Sequence, residues 1–153
     1  MGAIDEGLLG EDFTPDPISL LESNRNLGYS IEEAISDLID NSISAEATNI
    51  SYELNWNKGA PYFLLKDNGK GMSNVNDELV NSFRLGSKNP LDERDPKDLG
   101  RFGFGMKTAS LSQARVLTVI TKKEGLLCLA RSLDLNFIAQ LKGAWNLKKV
   151  IDE

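Results

Sequence analysis

The stretch from Ser30 to Ala47, SIEEAISDLIDNSISAEA, constrains the fold more than any other part of the chain. Ile31, Ala34, Ile35, Leu38, Ile39 and Ser42 recur at i, i+3, i+4, i+7 and i+8, which lines up one face of an α-helix. Glu33, Asp37, Asp40, Asn41 and Ser44 fall on the other side, because each step of four residues returns to nearly the same face. Ser30 followed three residues later by Glu33 is a capping box, so the helix starts there and Glu33 has a structural role. Taken alone, such a polar face describes a helix side turned to solvent. Its meaning depends on what the rest of the chain brings to it.

Residues 1–16 (MGAIDEGLLGEDFTPD) are glycine-rich, acidic and aperiodic and read as a loose tail. Residues 17–153 read as one domain, beginning with a short helix from Pro17 that Gly28 ends. After the capped helix, Ile50, Tyr52, Leu54 and Trp56 alternate with polar residues as in a strand, and Lys58-Gly59 marks a turn. PYFLLKD (61–67) is a nearly continuous apolar run suited to a central strand. A glycine-punctuated loop, DNGKGM, follows, and NDELVNSFRLG (76–86) predicts a helix with Leu79, Val80 and Phe83 on its apolar side. Ser87 to Asp98 is polar and proline-containing, a long loop; LGRFGFGMKTASLSQA (99–114) is glycine-rich and then helical. RVLTVIT (115–121) and LLCLARS (126–132) predict a hairpin, with a helix around Leu133–Leu141. Strands come in adjacent pairs rather than alternating singly with helices, so the fold class is α+β.

Composition removes several chemistries. The chain has no histidine and one cysteine, which excludes Ser-His-Asp and Cys-His catalysis, a disulfide framework and a Cys/His metal cluster within it. Cys128 lies in the apolar run LLCLA and reads as a small buried hydrophobe. A net charge of −6 argues against a broad basic surface for nucleic acid or anionic lipid. It leaves local phosphate binding open, since helix N-termini and glycine-rich backbone need no net positive charge. No secretory signal, myristoylation motif or membrane-spanning apolar run is visible, so the expected location is cytoplasmic.

Two glycine clusters carry the chemistry. Asp-Asn-Gly is a common hairpin turn, but here a helix start rather than a second strand follows. That puts Asp67 at the end of an apolar strand, able to accept from an exocyclic amino group, with Gly69 and Gly71 allowing close approach of backbone and ligand. In the second cluster Gly100 and Gly105 have P-loop spacing, but Met106 precedes Lys107-Thr108 and no strand leads in; the dinucleotide fingerprint fails as well. What remains is a loop whose glycines open a helix, an anion site to which Lys107 could add a point charge.

The ordered set resembles the GHKL superfamily, the ATP-binding fold of gyrase, heat-shock chaperones, histidine kinases and MutL. The matching stretches are the acid-x-x-x-Asn helix (Asp37, Asn41), Asp67-Asn-Gly-Lys-Gly-Met72 and Gly100-x-x-Gly-x-Gly105. Within it the chain looks closest to the MutL and microrchidia (MORC) branches, over about residues 19–131: SDLIDNSISAEATNI is similar to their first motif, RLGSKN (84–89) to the start of their ATP lid, and LGRFGFGMKTAS to the MORC glycine motif. The resemblance implies a Bergerat-type ATP-binding fold, a mixed and mostly antiparallel sheet with helices packed on one face. It also implies ATP and Mg²⁺ as ligands. Asn41 would coordinate Mg²⁺; Asp67 would bind the adenine amino group; Gly69, Gly71 and Met72 would shape the base pocket. Ser87 and Lys88 would belong to the lid, and Gly103, Phe104, Gly105, Lys107 and Thr108 would surround the phosphates.

The resemblance also implies a Mg²⁺-dependent slow ATPase whose lid closure is coupled to homodimerisation, with a DNA or protein client reached through other domains and no membrane partner. The family's ATPases usually place Glu, as general base, four residues before the Asn; here Asp37 stands there, its carboxyl nearer the backbone by about 1.5 Å. Asp40 points about 100° away and is a bystander. The family's domain usually continues through further strands to a lysine of a following transducer domain, so a chain stopping at Glu153 is expected to be an N-terminal fragment. Two alternatives remain: a catalytic domain of the histidine-kinase type, against which an acid at position 37 argues, and a nucleotide-sensing module without hydrolysis.

Overall fold

A computed structural model describes residues 13–26, 28–85 and 105–152. Helix α1 (Pro17–Arg25) starts at Asp16, whose carboxylate accepts from the Ser19 amide, with proline at the first helical position where its missing N–H is harmless. It ends at Asn26, before Gly28. Helix α2 (Ile31–Ser44) carries the expected capping box at Ser30 and Glu33. A pair of antiparallel strands follows, β1 (Ile50–Asn55) and β2 (Tyr62–Asp67), joined through a 3₁₀ turn at Asn57–Gly59. A second 3₁₀ turn (Val75–Asp77) leads into α3 (Glu78–Phe83), shorter than the predicted helix.

Helix α4 (Gly105–Gln113) resumes the described chain and feeds the hairpin β3 (Val116–Lys122) and β4 (Cys128–Asp134). Helix α5 (Leu135–Gln140) is capped by Asp134, whose side chain accepts from the amides of Asn136 and Phe137. A strand the sequence reading left unassigned, β5 (Lys148–Asp152), adds to the free edge of β4. The fold is α+β: all described strand pairs are antiparallel, in a two-stranded sheet β1-β2 and a three-stranded sheet β3-β4-β5.

The core lies between the helices and the larger sheet. Leu21 of α1, Leu79 and Phe83 of α3, Leu111 of α4, Leu129 and Leu133 of β4, and Leu135 and Ile138 of α5 form one buried cluster. Helix α2 sits at its margin, packed along α4. Of its apolar stripe only the small residues Ala34 and Ser42 are fully buried, while Ile31 stays exposed. The β1–β2 pair departs further from expectation. Its alternating apolar residues share a face, but that face is open: Tyr52, Leu54 and Trp56 are 68%, 67% and 75% exposed. β2, expected as a central strand, pairs among the described residues with β1 alone. Tyr52 and Phe63 stack with ring centroids 6.1 Å apart, a diagonal cross-strand pair.

Candidate functional site

The motif residues converge where the C-terminal half of α2 meets the end of β2. Asp37 and Asn41 stand one turn apart on α2, Asp37 half-buried and Asn41 exposed. Ser42, the next residue, is buried and donates its hydroxyl to Oδ2 of Asp67 at 3.0 Å. Oδ1 of Asp67 accepts from the Gly69 amide at 2.8 Å. Each carboxylate oxygen therefore holds one donor and keeps a lone pair, and the exposed side chain can accept from a further amino group.

The Asp-Asn-Gly turn is anchored by Asn68. Its side-chain oxygen accepts from the amides of Thr48 and Asn49 (2.9 and 2.8 Å), and its Nδ2 donates to the Thr48 hydroxyl. Gly69 lies against the end of α2: a Cβ there would stand 2.7 Å from the Ala45 carbonyl oxygen and 2.8 Å from the Ala45 Cβ, so no side chain fits. Gly71 has φ +63°, and a Cβ would overlap the Lys122 carbonyl. Both glycines are thus required by space, and Gly71 by conformation as well. Met72 packs on the core, and its amide donates to Oγ1 of the buried Thr121 at 2.8 Å, bringing the loop beside the end of β3. Beyond it, Glu78 accepts from the amide and hydroxyl of Ser73 and from Lys123; the Ser73 amide above all holds its carboxyl below the ordinary range.

Helix α4 opens beside Asp37. A Cβ built on Gly105 would lie 3.5 Å from Asp37 Oδ2, which places the first residue of α4 next to that carboxylate. The amides of a helix's first turn can receive an anion without a cationic side chain. Lys107 is turned inward instead: it is buried, and its Nζ donates to the Ser82 carbonyl at 2.7 Å, tying α4 to α3. Thr108 is half-buried one residue on. Ser87, Lys88, Gly103 and Phe104 lie outside the described residues.

Sequence reasoning missed two contacts here. Ser42 was assigned to the core stripe and is indeed buried, yet its hydroxyl serves Asp67. Tyr29, in the loop before α2, donates its hydroxyl to Oδ2 of Asp37. That bond, with burial and the charges of Asp37 and Glu33, pushes the phenol up to about 12. An open cleft of about 580 Å³ is lined by Gly28, Tyr29, Glu32, Glu33, Ser36 and Asp37, and another of about 500 Å³ lies under Gly69. The first includes Asp37 and the second Gly69; neither is lined by Asn41 or by Asp67.

The donor set suits a nucleotide and its metal only jointly. Among the described residues no group of three or more Cys, Asp or Glu could hold a metal ion. One exposed Asn oxygen fits Mg²⁺ as that ion is commonly held beside a nucleotide, by few protein ligands plus water and phosphate oxygens.

Residues 29–153 match the family model of the histidine kinase-, DNA gyrase B- and HSP90-like ATPases. The chain belongs to this family. The match takes in both α2 and α4, so this ATPase family supplies the context for Asp37, Asn41 and Gly105. The chain is 26% identical over 110 residues, 72% of its own length and 12% of the relative's, to ATPase morc-1 of Caenorhabditis elegans. It is 33% identical over 94 residues (61% of the chain, 15% of the relative) to the DNA mismatch repair protein MutL of a Thermoanaerobacter species. Identity is 36% over 93 residues (60% and 16%) to MutL of Thermosipho melanesiensis. The chain therefore spans less than a fifth of the length of these relatives. As a GHKL ATPase domain it is an ATP-binding chain. No helix among the described residues is long and apolar enough to cross a membrane.

Proposed function

We propose that this domain binds ATP with Mg²⁺ and belongs to a slow ATPase whose lid closure is coupled to dimerisation. The observation that carries the reading is the placing of Asp37 and Asn41 one turn apart on α2, with the first turn of α4 beside Asp37 and Asp67 joined to α2 through Ser42. Asp67 accepts from the adenine amino group, and a nucleobase offering a carbonyl there sets two acceptors against each other. Asn41 is the side chain that would hold Mg²⁺, which when bound neutralises phosphate charge. The amides of the first turn of α4 stabilise phosphate oxygens. Asp37 orients the attacking water and takes its proton. Closure of a lid over residues 86–103 and homodimerisation are supported by the resemblance to the MORC and MutL branches, as is a DNA or protein client.

Calorimetry tests the reading. ATP is expected to bind the folded domain with Mg²⁺ present, Asn41→Ala to remove the Mg²⁺ dependence, and Mg²⁺ without nucleotide to give no measurable heat. A folded sample that binds no ATP overturns the proposal. In the complete protein, Asp37→Asn is expected to lower turnover at least 100-fold, the lower end of general-base contributions. A second reading, nucleotide sensing without hydrolysis, draws on one observation: Asp37 is already engaged by the Tyr29 hydroxyl. Under it Asp37→Asn leaves turnover unchanged.

A further inference from the structure

The contact between Tyr29 and Asp37 goes beyond the family pattern and rests on Asp37 as base. Tyr29 sits in the short loop between α1 and α2, next to Gly28 with φ +77°, a conformation that favours glycine. Its carbonyl accepts from Nε2 of Gln113 at 3.0 Å, so the last residue of α4 fixes the backbone of Tyr29. The first residue of the same helix, Gly105, lies beside Asp37. One helix thus sets both ends of the contact: the Tyr29 backbone at its C-terminus and the space around the carboxylate at its N-terminus.

A carboxylate on a single methylene reaches less far than glutamate and needs correct orientation to meet a water. The Tyr29 hydroxyl donates to Oδ2 of Asp37. Among the described residues no hydrogen bond engages Oδ1. We propose that Tyr29 is a positioning residue for ATP hydrolysis: by holding Oδ2 it fixes the χ angles of Asp37 and presents Oδ1 to the attacking water. Tyrosine suits the task, because its rigid ring has few torsions and its hydroxyl donates at neutral pH. The proton of the attacking water passes to Oδ1, and the phenol proton stays on Tyr29, whose ionisation near 12 keeps it from competing as an acid.

The test combines turnover by the complete protein, ATP affinity and phenol titration. Tyr29→Phe removes one oxygen and is expected to lower the turnover number about tenfold, as loss of an orienting partner does, while affinity for ATP with Mg²⁺ stays within about twofold. Equal loss of affinity and turnover means the contact only stabilises the fold, and overturns the role. Parental turnover by Tyr29→Phe beside an inactive Asp37→Asn also overturns it, and leaves Asp37 standing as base. Parental turnover by Asp37→Asn overturns the base assignment and the positioning role together. Ultraviolet titration reads the contact without any catalysis: one phenol ionising near 12 in the parent is expected to return toward 10.0 in Asp37→Asn. A phenol that does not move overturns the hydrogen bond itself.

Discussion

Individual side chains in this domain do more than one job, and the second job decides chemistry. Ser42 is buried against the core by its position in the α2 stripe, and its hydroxyl orients Asp67. Spacing shows where a residue faces, not whom its hydroxyl meets, so this contact was not legible in the sequence. The place of Asp67 at the end of β2 was legible, because an apolar run closed by an acid and two glycines marks a strand end that needs backbone space. Asp67→Ala is expected to reduce ATP affinity at least tenfold by calorimetry, since an amino-group hydrogen bond to a charged acceptor is worth about 1.5–3 kcal/mol. Tyr29 gives the fold a signature at alkaline pH. Its phenol is raised from 10.0 to about 12 by the bond to Asp37, so the folded state favours the neutral form. The resulting stability is fully present below pH 10 and lost as pH rises through about 12. Tyr29→Phe is therefore expected to lose stability less steeply than the parent over that interval, measured by denaturant melts at stepped pH.

Elements with local instructions formed as read. The capping box at Ser30 and Glu33 is complete in both directions, the Glu33 amide reaching the Ser30 hydroxyl and the Ser30 amide the Glu33 carboxylate. Ser30→Ala is expected to destabilise the domain by about 1 kcal/mol, read as a shift in urea midpoint at constant slope. Because that cap sets the entry of α2, the same variant also loosens the Tyr29 loop. Elements whose role depends on distant partners were less legible. Strand β5 had no local signal beyond a short Lys-Lys-Val-Ile run and exists by pairing with the edge of β4. Lys107 read as a phosphate contact because of its glycine neighbours; helical phase carries it inward to the Ser82 carbonyl instead. β1 shows the limit of periodicity most plainly, since alternation states which residues share a face and is silent on what covers it.

At the scale of the molecule, the larger sheet with α1, α3, α4 and α5 supplies the buried cluster, while α2, the end of β2 and the first turn of α4 carry the motif residues at its margin. Buried positions remote from those residues therefore bear on stability alone. Leu135→Ala, at a fully buried position of the cluster, is expected to cost about 2–5 kcal/mol in chemical denaturation, without changing the ATP affinity of the molecules that remain folded. The open face of β1 has a further, optical consequence. The chain has two tryptophans, Trp56 and Trp145, which are 75% and 44% exposed. Their indoles already meet water in the native state, so emission is expected to sit near the wavelength of the unfolded chain, and to move little on melting while circular dichroism changes fully. The same property makes Trp56 a built-in dye: a blue shift under native conditions would report that something had come to cover β1.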